Sequence, residues 1–346
     1  MPKTIYDVAR QAGVGIATVS RALNNQPNIN KSTKEKILRI AGELNYTPHG
    51  LARGLARKHT HQIAAVVPFF FNYFFLGLLK NLQYQLTDHN YDLFLYSVDR
   101  IDNKETIFDR VLFERKCDGA LILSLGIDDL YAKKFLRAKM PVILVDNYHP
   151  LLDSISIANI RGAKVAVEHL ISQGYKKIAL INGSLSSYPA RSRLEGYKET
   201  LQSHNLVCRP EYVVNATGDM AQDGFNESAG YDAMQNLIAL NDERPDAVFV
   251  ASDVQALGAL RAAKEYNIRI PEDIAVIGFD DIDFVKYVGL TTMRQPVQSM
   301  AELAVNRLLQ RIDKKTSDKF QVELNAELVI RETCGCNKEG FHANQI

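Results

Sequence analysis

Beyond residue 60 the chain alternates between two patterns. Seven short apolar runs fall at 61–67 (HQIAAVV), 91–98 (YDLFLYSV), 118–124 (DGALILS), 141–146 (PVILVD), 176–183 (KKIALING), 246–252 (DAVFVAS) and 273–279 (DIAVIGF). Runs this short and this rich in Val, Ile and Leu read as strands buried on both faces. Amphipathic stretches of helical spacing lie between them. Strands that alternate with helices make a parallel sheet with helices on both of its faces. This part of the chain holds roughly 270 residues, more than one core usually takes. Two similar doubly wound lobes are therefore expected.

The first 60 residues have a different character. They carry ten Lys/Arg (Lys3, Arg10, Arg21, Lys31, Lys34, Lys36, Arg39, Arg53, Arg57 and Lys58) against three acids (Asp7, Glu35 and Glu43), a balance of +7. The whole chain sums to +1, so the remainder is at −6. A basic module on a mildly acidic body points to a polyanion as partner for the module alone. Thr4 followed by Asp7 is a capping-box pattern. Ile5, Val8, Ala9 and Ala12 then share one helical face, and Gly13 is a natural stop. A second helix, from Ile16 to about Asn24, buries Val19, Ala22 and Leu23. A third, capped by Asn30 or Ser32, buries Ile37, Ile40, Ala41 and Leu44 and ends before Pro48. Two short helices joined around a glycine form a helix-turn-helix. The outward face of the second shows Ile16, Ala17, Thr18, Ser20 and Arg21. These are small groups for a thymine methyl, hydroxyls for phosphate and one guanidinium able to fork onto guanine.

The stretches "TIYDVARQAGVGIATVSRALN", "ELNYTPHGLARGLARK", "GFDD" and "LTTMRQP" occur in this order, in a match that covers about residues 3–333. In them the chain resembles the lac repressor (LacI/GalR) family of bacterial transcription regulators. The resemblance implies an α/β body of two doubly wound parallel-sheet lobes, periplasmic-binding-protein-like, behind an N-terminal all-α helix-turn-helix domain. It sets the domains at 1–47 for the head, 48–60 for a hinge helix, 61–333 for the body and 334–346 for a tail. The chain would cross between lobes near 159–161, 290 and 318. That gives an N-lobe of about 61–159 plus 291–317 and a C-lobe of about 160–290 plus 318–333. The resemblance extends the DNA-contacting set to Thr4, Asn24, Asn30, Thr33 and Tyr46, and in the hinge to Ala52, Arg53 and Leu55. So short a helix, with Gly50 and Gly54, is marginal alone in water. In the family it folds on DNA, and the leucine matching Leu55 wedges into the minor groove.

Ligands of open parallel sheets bind at the carboxyl ends of the strands. Aromatic and polar residues gather there: Phe69 and Phe74 after the first strand, Asp146, Arg191 and Arg193, Ser252 and Asp253, Asp280 and Asp281. Carboxylates with a guanidinium suit vicinal hydroxyls, each of which donates and accepts, and a flat ring can stack on a sugar face. By resemblance the effector contacts fall on Asn72, Phe74, Asp146, Arg193, Ser252, Asp280 and Gln295. Met220 stands where the family places an aromatic platform, Ser252 where it can have asparagine, and Ala158 where aspartate is frequent. For Arg191, Asp253 and Asp281 a structural role as ion pairs or caps is expected.

The expected function is that of a DNA-binding transcriptional regulator, most simply a repressor. Its partners would be a pseudo-palindromic operator, a second copy of the chain and a small effector, a sugar or sugar derivative. The alternative with the same lobes is a sugar-binding protein of transport, which predicts a signal peptide and no basic head. An enzyme is not expected, because no nucleophile, phosphate loop or metal cluster has chemical spacing. No cofactor is expected. No charged-then-apolar leader opens the chain and no apolar run approaches the ~20 residues of a membrane span, so a cytoplasmic protein without membrane contact is expected. Cys117, Cys208, Cys334 and Cys336 are too scattered for a disulfide framework. Cys334 and Cys336 form a C-x-C without nearby Cys or His partners at zinc spacing and read as tail thiols without a metal. The tail has no leucine heptads, so no coiled-coil tetramer is expected.

Overall fold

All seven apolar runs become strands. The computed structural model describes residues 3–23, 29–46, 59–68, 73–98, 103–216 and 224–336. The chain divides into two compact units, Met1–His61 and Gln62–Ile346.

The first unit contains α1 (Ile5–Ala12), α2 (Ile16–Leu23) and α3 (Lys31–Glu43). Asp7 accepts from the Thr4 amide at 2.9 Å and from its hydroxyl at 2.8 Å, so the capping pattern forms. These bonds hold the Asp7 carboxyl below the usual range. Gly13 closes α1 at φ +70°, a conformation that a side chain would strain. Val8, Ala9, Ala12, Val19, Ala22, Ile37, Ile40 and Ala41 form the core, with Leu23 and Leu44 half-buried against it. The Asn30 side chain caps α3 by accepting from the Ser32 amide at 3.0 Å.

The second unit begins with β1 (Gln62–Val67), α4 (Tyr73–Asp88), β2 (Asp92–Ser97), α5 (Lys104–Glu114), β3 (Gly119–Leu123), α6 (Asp129–Ala138), β4 (Val142–Val145) and β5 (Asp153–Ile157). It continues with α7 (Asn159–Ser172), β6 (Ile178–Asn182), α8 (Tyr188–Ser203), β7 (Val213–Asn215), α9 (Glu227–Ile238), β8 (Ala247–Val250), α10 (Asp253–Glu265) and β9 (Ala275–Asp280). It ends with β10 (Thr291–Arg294), α11 (Val297–Ile312), β11 (Gln321–Leu324) and β12 (Glu327–Val329). The strands form two sheets, ordered β2-β1-β3-β4-β5-β11 and β7-β6-β8-β9-β10-β12. The two orders are the same topology repeated. Every pairing is parallel except β10 with β12, an antiparallel edge on an otherwise parallel sheet. In both sheets the order reverses beside the first strand, which places a crevice at the carboxyl ends.

Two of the expected lobe crossings move. Thr291–Arg294 pairs with Ile277–Asp280, so β10 belongs to the second lobe and the chain leaves after 294 rather than near 290. Gln321–Leu324 pairs with Ser154–Ile157, so β11 belongs to the first lobe and the return falls between 324 and 327 rather than near 318. Hydrogen bonding to a neighbouring strand decides both. The expected tail also starts too early, because Cys334 is fully buried in the core. Between β5 and β6, α7 packs against α8 and the second sheet, which places the first crossing just after 157.

Candidate DNA-binding face and effector cleft

With Val19 and Ala22 buried, α2 turns Ile16, Ala17 and Arg21 outward and leaves Thr18 and Ser20 half-buried. Thr4 and Asn30, expected as DNA contacts, serve as the caps of α1 and α3. Thr33 is partly exposed on α3, and Tyr46 rests against the three-helix core. Asn24, Ala52, Arg53 and Leu55 lie outside the described residues, as do Phe69, Asn72 and Met220 of the effector set.

In the second unit, five of the expected effector residues converge. Asp146 follows β4 and is buried. Its Oδ2 accepts from the Ser124 hydroxyl at 2.6 Å, while Oδ1 has no partner. Arg193, from α8, is 3% exposed. Its Nε donates to Asn159 Oδ1 at 2.9 Å and its Nη1 to the Ala251 carbonyl. The guanidinium lies 3.7 Å from the centre of the Phe279 ring, and Nη1 is 4.0 Å from Asp280 Oδ1. Asp280 ends β9 and accepts from Gln295 Nε2 at 2.6 Å. The other amide atom, Gln295 Oε1, is buried without a partner. Ser252 caps α10 by accepting from the Gln255 amide at 3.3 Å.

The electrostatics follow from burial. Loss of water pushes the Asp280 carboxyl up to about 7; the Arg193 charge and the Gln295 hydrogen bond oppose that shift. Burial also raises Asp146, with Ser124 and Arg193 opposing. Burial lowers Arg193, and Asp280, Asp146 and Asp253 hold it up. One cation thus faces several carboxyls with few hydrogen bonds left over. Backbone strain gathers at the same place. Ser124, Asp146 and Asp280 have φ of +50°, +55° and +122°. Such conformations cost on the order of 1–3 kcal/mol each and cluster at ligand sites.

Phe74 is buried and packs edge-on against Phe75 at 5.4 Å, in the apolar core. Arg191, Asp253 and Asp281 take structural partners. Arg191 donates to the Leu185 and Ser186 carbonyls. Asp253 accepts from Thr292 Oγ1 at 2.6 Å and the Ile282 amide at 3.0 Å. Asp281 pairs with Arg294 at 2.7 Å and Arg331 at 2.6 Å. Sequence reasoning missed Ser124, Asn159 and Phe279. Ser124 carried a usable signal, since it ends a strand as Asp146 does.

Comparison with known proteins agrees with this architecture. Residues 4–49 match the bacterial regulatory proteins of the lacI family, and residues 167–334 match the periplasmic binding protein-like domain. Catabolite control protein A of Priestia megaterium is 31% identical over 338 residues, 96% of this chain and 99% of that protein. The chain belongs to the lacI family. A second lacI-family relative is the ribose operon repressor of Escherichia coli K12, 32% identical over 334 residues, which covers 95% of this chain and 98% of that one. Among solved structures, the lac repressor dimer bound to operator and the anti-inducer ONPF superposes with a TM-score of 0.82. It is 30% identical and covers 96% of this chain and 99% of that one. As a lacI-family transcriptional regulator, the protein joins a DNA-binding helix-turn-helix to an effector-binding body. Among the described residues no helix is long and apolar enough to cross a membrane.

Proposed function

We propose that the protein is a repressor that binds a pseudo-palindromic operator as a homodimer, and that a sugar or sugar derivative seated among Asp146, Arg193, Ser252, Asp280 and Gln295 sets its DNA affinity. The observation that carries the effector chemistry is a pair of buried acceptors, Asp146 Oδ1 and Gln295 Oε1, that no protein donor satisfies. Buried polar atoms without a partner are rare in native folds. Hydroxyl groups supply the missing donors, and Arg193 supplies donors in return. The site is read as one of recognition, and turnover is not proposed. Coupling runs through a two-state element: effector binding changes how the lobes sit, and hence the hinge. Effector-bound relatives support this reading, among them a regulator solved with cellobiose, 29% identical to this chain.

The test has two steps. Selection from a random DNA pool yields the operator. A thermal-shift panel of sugars, phosphosugars and nucleobases yields the ligand, and each hit is scored for tightening or release of operator DNA. Hits confined to nucleobases would remove the sugar assignment. Absence of any selected sequence would favour a binding protein of transport.

Arg21→Ala should weaken specific binding by about 1–3 kcal/mol and relax base preference at one position per half-site, because Arg21 is the long exposed donor on α2. Selection with the variant reads this directly, and an unchanged motif would reduce Arg21 to a phosphate contact. Effector affinity should rise with pH up to about 7 and then level off, since hydroxyl donors favour the ionised form of Asp280, whose pKa is near 7. Calorimetry on the acid side of neutrality, in buffers of different ionisation enthalpy, should record proton release. Proton uptake would mean that the ligand binds the neutral acid.

A further inference from the structure

The geometry points to a metal site of Zn2+ type at the end of the second lobe, made by Cys334, Cys336 and His169. Their ligand atoms all lie within 4.8 Å of one another, and Cys336 Sγ is 3.2 Å from His169 Nε2. Around a tetrahedral zinc ion the bonds are about 2.3 Å to sulfur and about 2.0 Å to nitrogen. Neighbouring ligand atoms then stand about 3.5–3.8 Å apart. The cluster reaches that spacing with small side-chain movements.

The backbone that carries the sulfurs is already held in place. Thr333 exchanges hydrogen bonds with Val276: the Val276 amide donates to its carbonyl at 2.7 Å, and its hydroxyl donates to the Val276 carbonyl at 2.7 Å. The Thr291 amide donates to the same hydroxyl at 2.9 Å. Between the cysteines, Gly335 turns the chain at φ +74°, and a side chain there would run into the Tyr175 hydroxyl. That hydroxyl donates to the Cys334 carbonyl at 3.4 Å. Cys334 is fully buried, Cys336 half-buried, and His169 sits on the last turn of α7. A preorganised pair of ligands lowers the ordering cost of binding.

The donor set selects the ion. Two thiolates and an imidazole suit Zn2+ and disfavour the hard ions Mg2+ and Ca2+, which take oxygen. Three protein ligands leave a fourth position, which water fills. Binding would tie the end of the body to α7, the helix whose first residue, Asn159, holds Arg193. Sequence spacing hides the site: a C-x-C segment is 165 residues from its histidine, outside every local zinc pattern.

The test uses the full chain, reduced and kept from air, and titrates it with Co2+ followed by Zn2+. One cobalt per chain is expected, with thiolate-to-metal charge-transfer absorption and the visible bands of tetrahedral cobalt, both removed by zinc. Cys336→Ser and His169→Gln should each weaken cobalt binding at least tenfold, and Cys334→Ser with Cys336→Ser should abolish the charge-transfer band. Cys208→Ser should leave it intact. Zinc should raise the Tm of the parent and not that of the double variant. Should the double variant fail to fold, Cys336→Ser, at a half-buried position, decides alone. Absence of the band in the parent, or its survival in Cys336→Ser with unchanged affinity, overturns the site.

Discussion

Replacing Arg193 by alanine should lower effector affinity at least a hundredfold and leave operator binding by the effector-free protein in place. The guanidinium is buried, bonded to Asn159 and Ala251, stacked on Phe279 and 4.0 Å from Asp280. Its remaining donor capacity is what a hydroxyl-rich ligand would use. A charged hydrogen bond lost from a buried site costs about 1.5–3 kcal/mol. Two such bonds exceed the roughly 2.7 kcal/mol that a hundredfold represents. Lysine at this position should not rescue binding, because a point charge on a flexible stem cannot keep the planar fork or the ring contact. The fold should survive for an electrostatic reason. Without Arg193, Asp280 and Asp146 lose the cation that opposes their upward shift, and they take up protons instead of remaining as bare buried charges. Calorimetry on the full variant, with a melting curve beside it, separates the outcomes. Undiminished affinity would move the effector site elsewhere. Loss of the cooperative melt would make Arg193 a structural residue.

The same balance of burial and hydrogen bonding explains how far the sequence could be read. Strands such as β3 and β4 consist of apolar residues buried on both faces, and their runs are visible at once. β5, and β10 up to Met293, are equally buried but carry Ser154, Ser156, Thr291 and Thr292. Hydrophobicity cannot reveal a strand whose polar side chains find partners inside the protein. Thr292 does so by donating to Asp253. β7, β11 and β12 are three- or four-residue edges, too short to show a period. Both displaced crossings flank these hidden strands. Within the cleft, Asp146, Ser252 and Asp280 were legible because each follows a visible strand. Asn159 and Phe279 were not, because each matters only through Arg193, whose sequence distance from Asn159 is 34 residues. His169 was invisible beside Cys336 for the same reason.

Asp153→Ala should destabilise the body by about 3–5 kcal/mol, the usual cost of removing one partner from a buried ion pair. Asp153 opens β5 and is 3% exposed. Its Oδ2 accepts from Arg307 Nε at 2.6 Å and Arg311 Nε at 2.7 Å, and its Oδ1 from Arg311 Nη2 at 2.8 Å and the Phe320 amide at 3.0 Å. One carboxylate therefore joins β5, α11 and the strap that leads into β11, where the chain prepares its last crossing between lobes. The alanine leaves Arg307, a residue only 7% exposed, without its counter-charge. The pH dependence has a definite sign. Burial would raise the Asp153 carboxyl, but the hydrogen bonds from Arg311, Arg307 and Phe320 outweigh it and hold the folded-state value below 3.8. The unfolded chain thus binds the proton more readily, so the carboxylate's contribution is complete above about 4 and is lost as pH falls through the folded value. Chemical unfolding of the parent and the variant should differ most at neutral pH, and the gap should narrow in acid as Asp153 is protonated in the parent. A gap that stays constant down to acid unfolding would mean that packing, and not the ionised pair, joins these three elements.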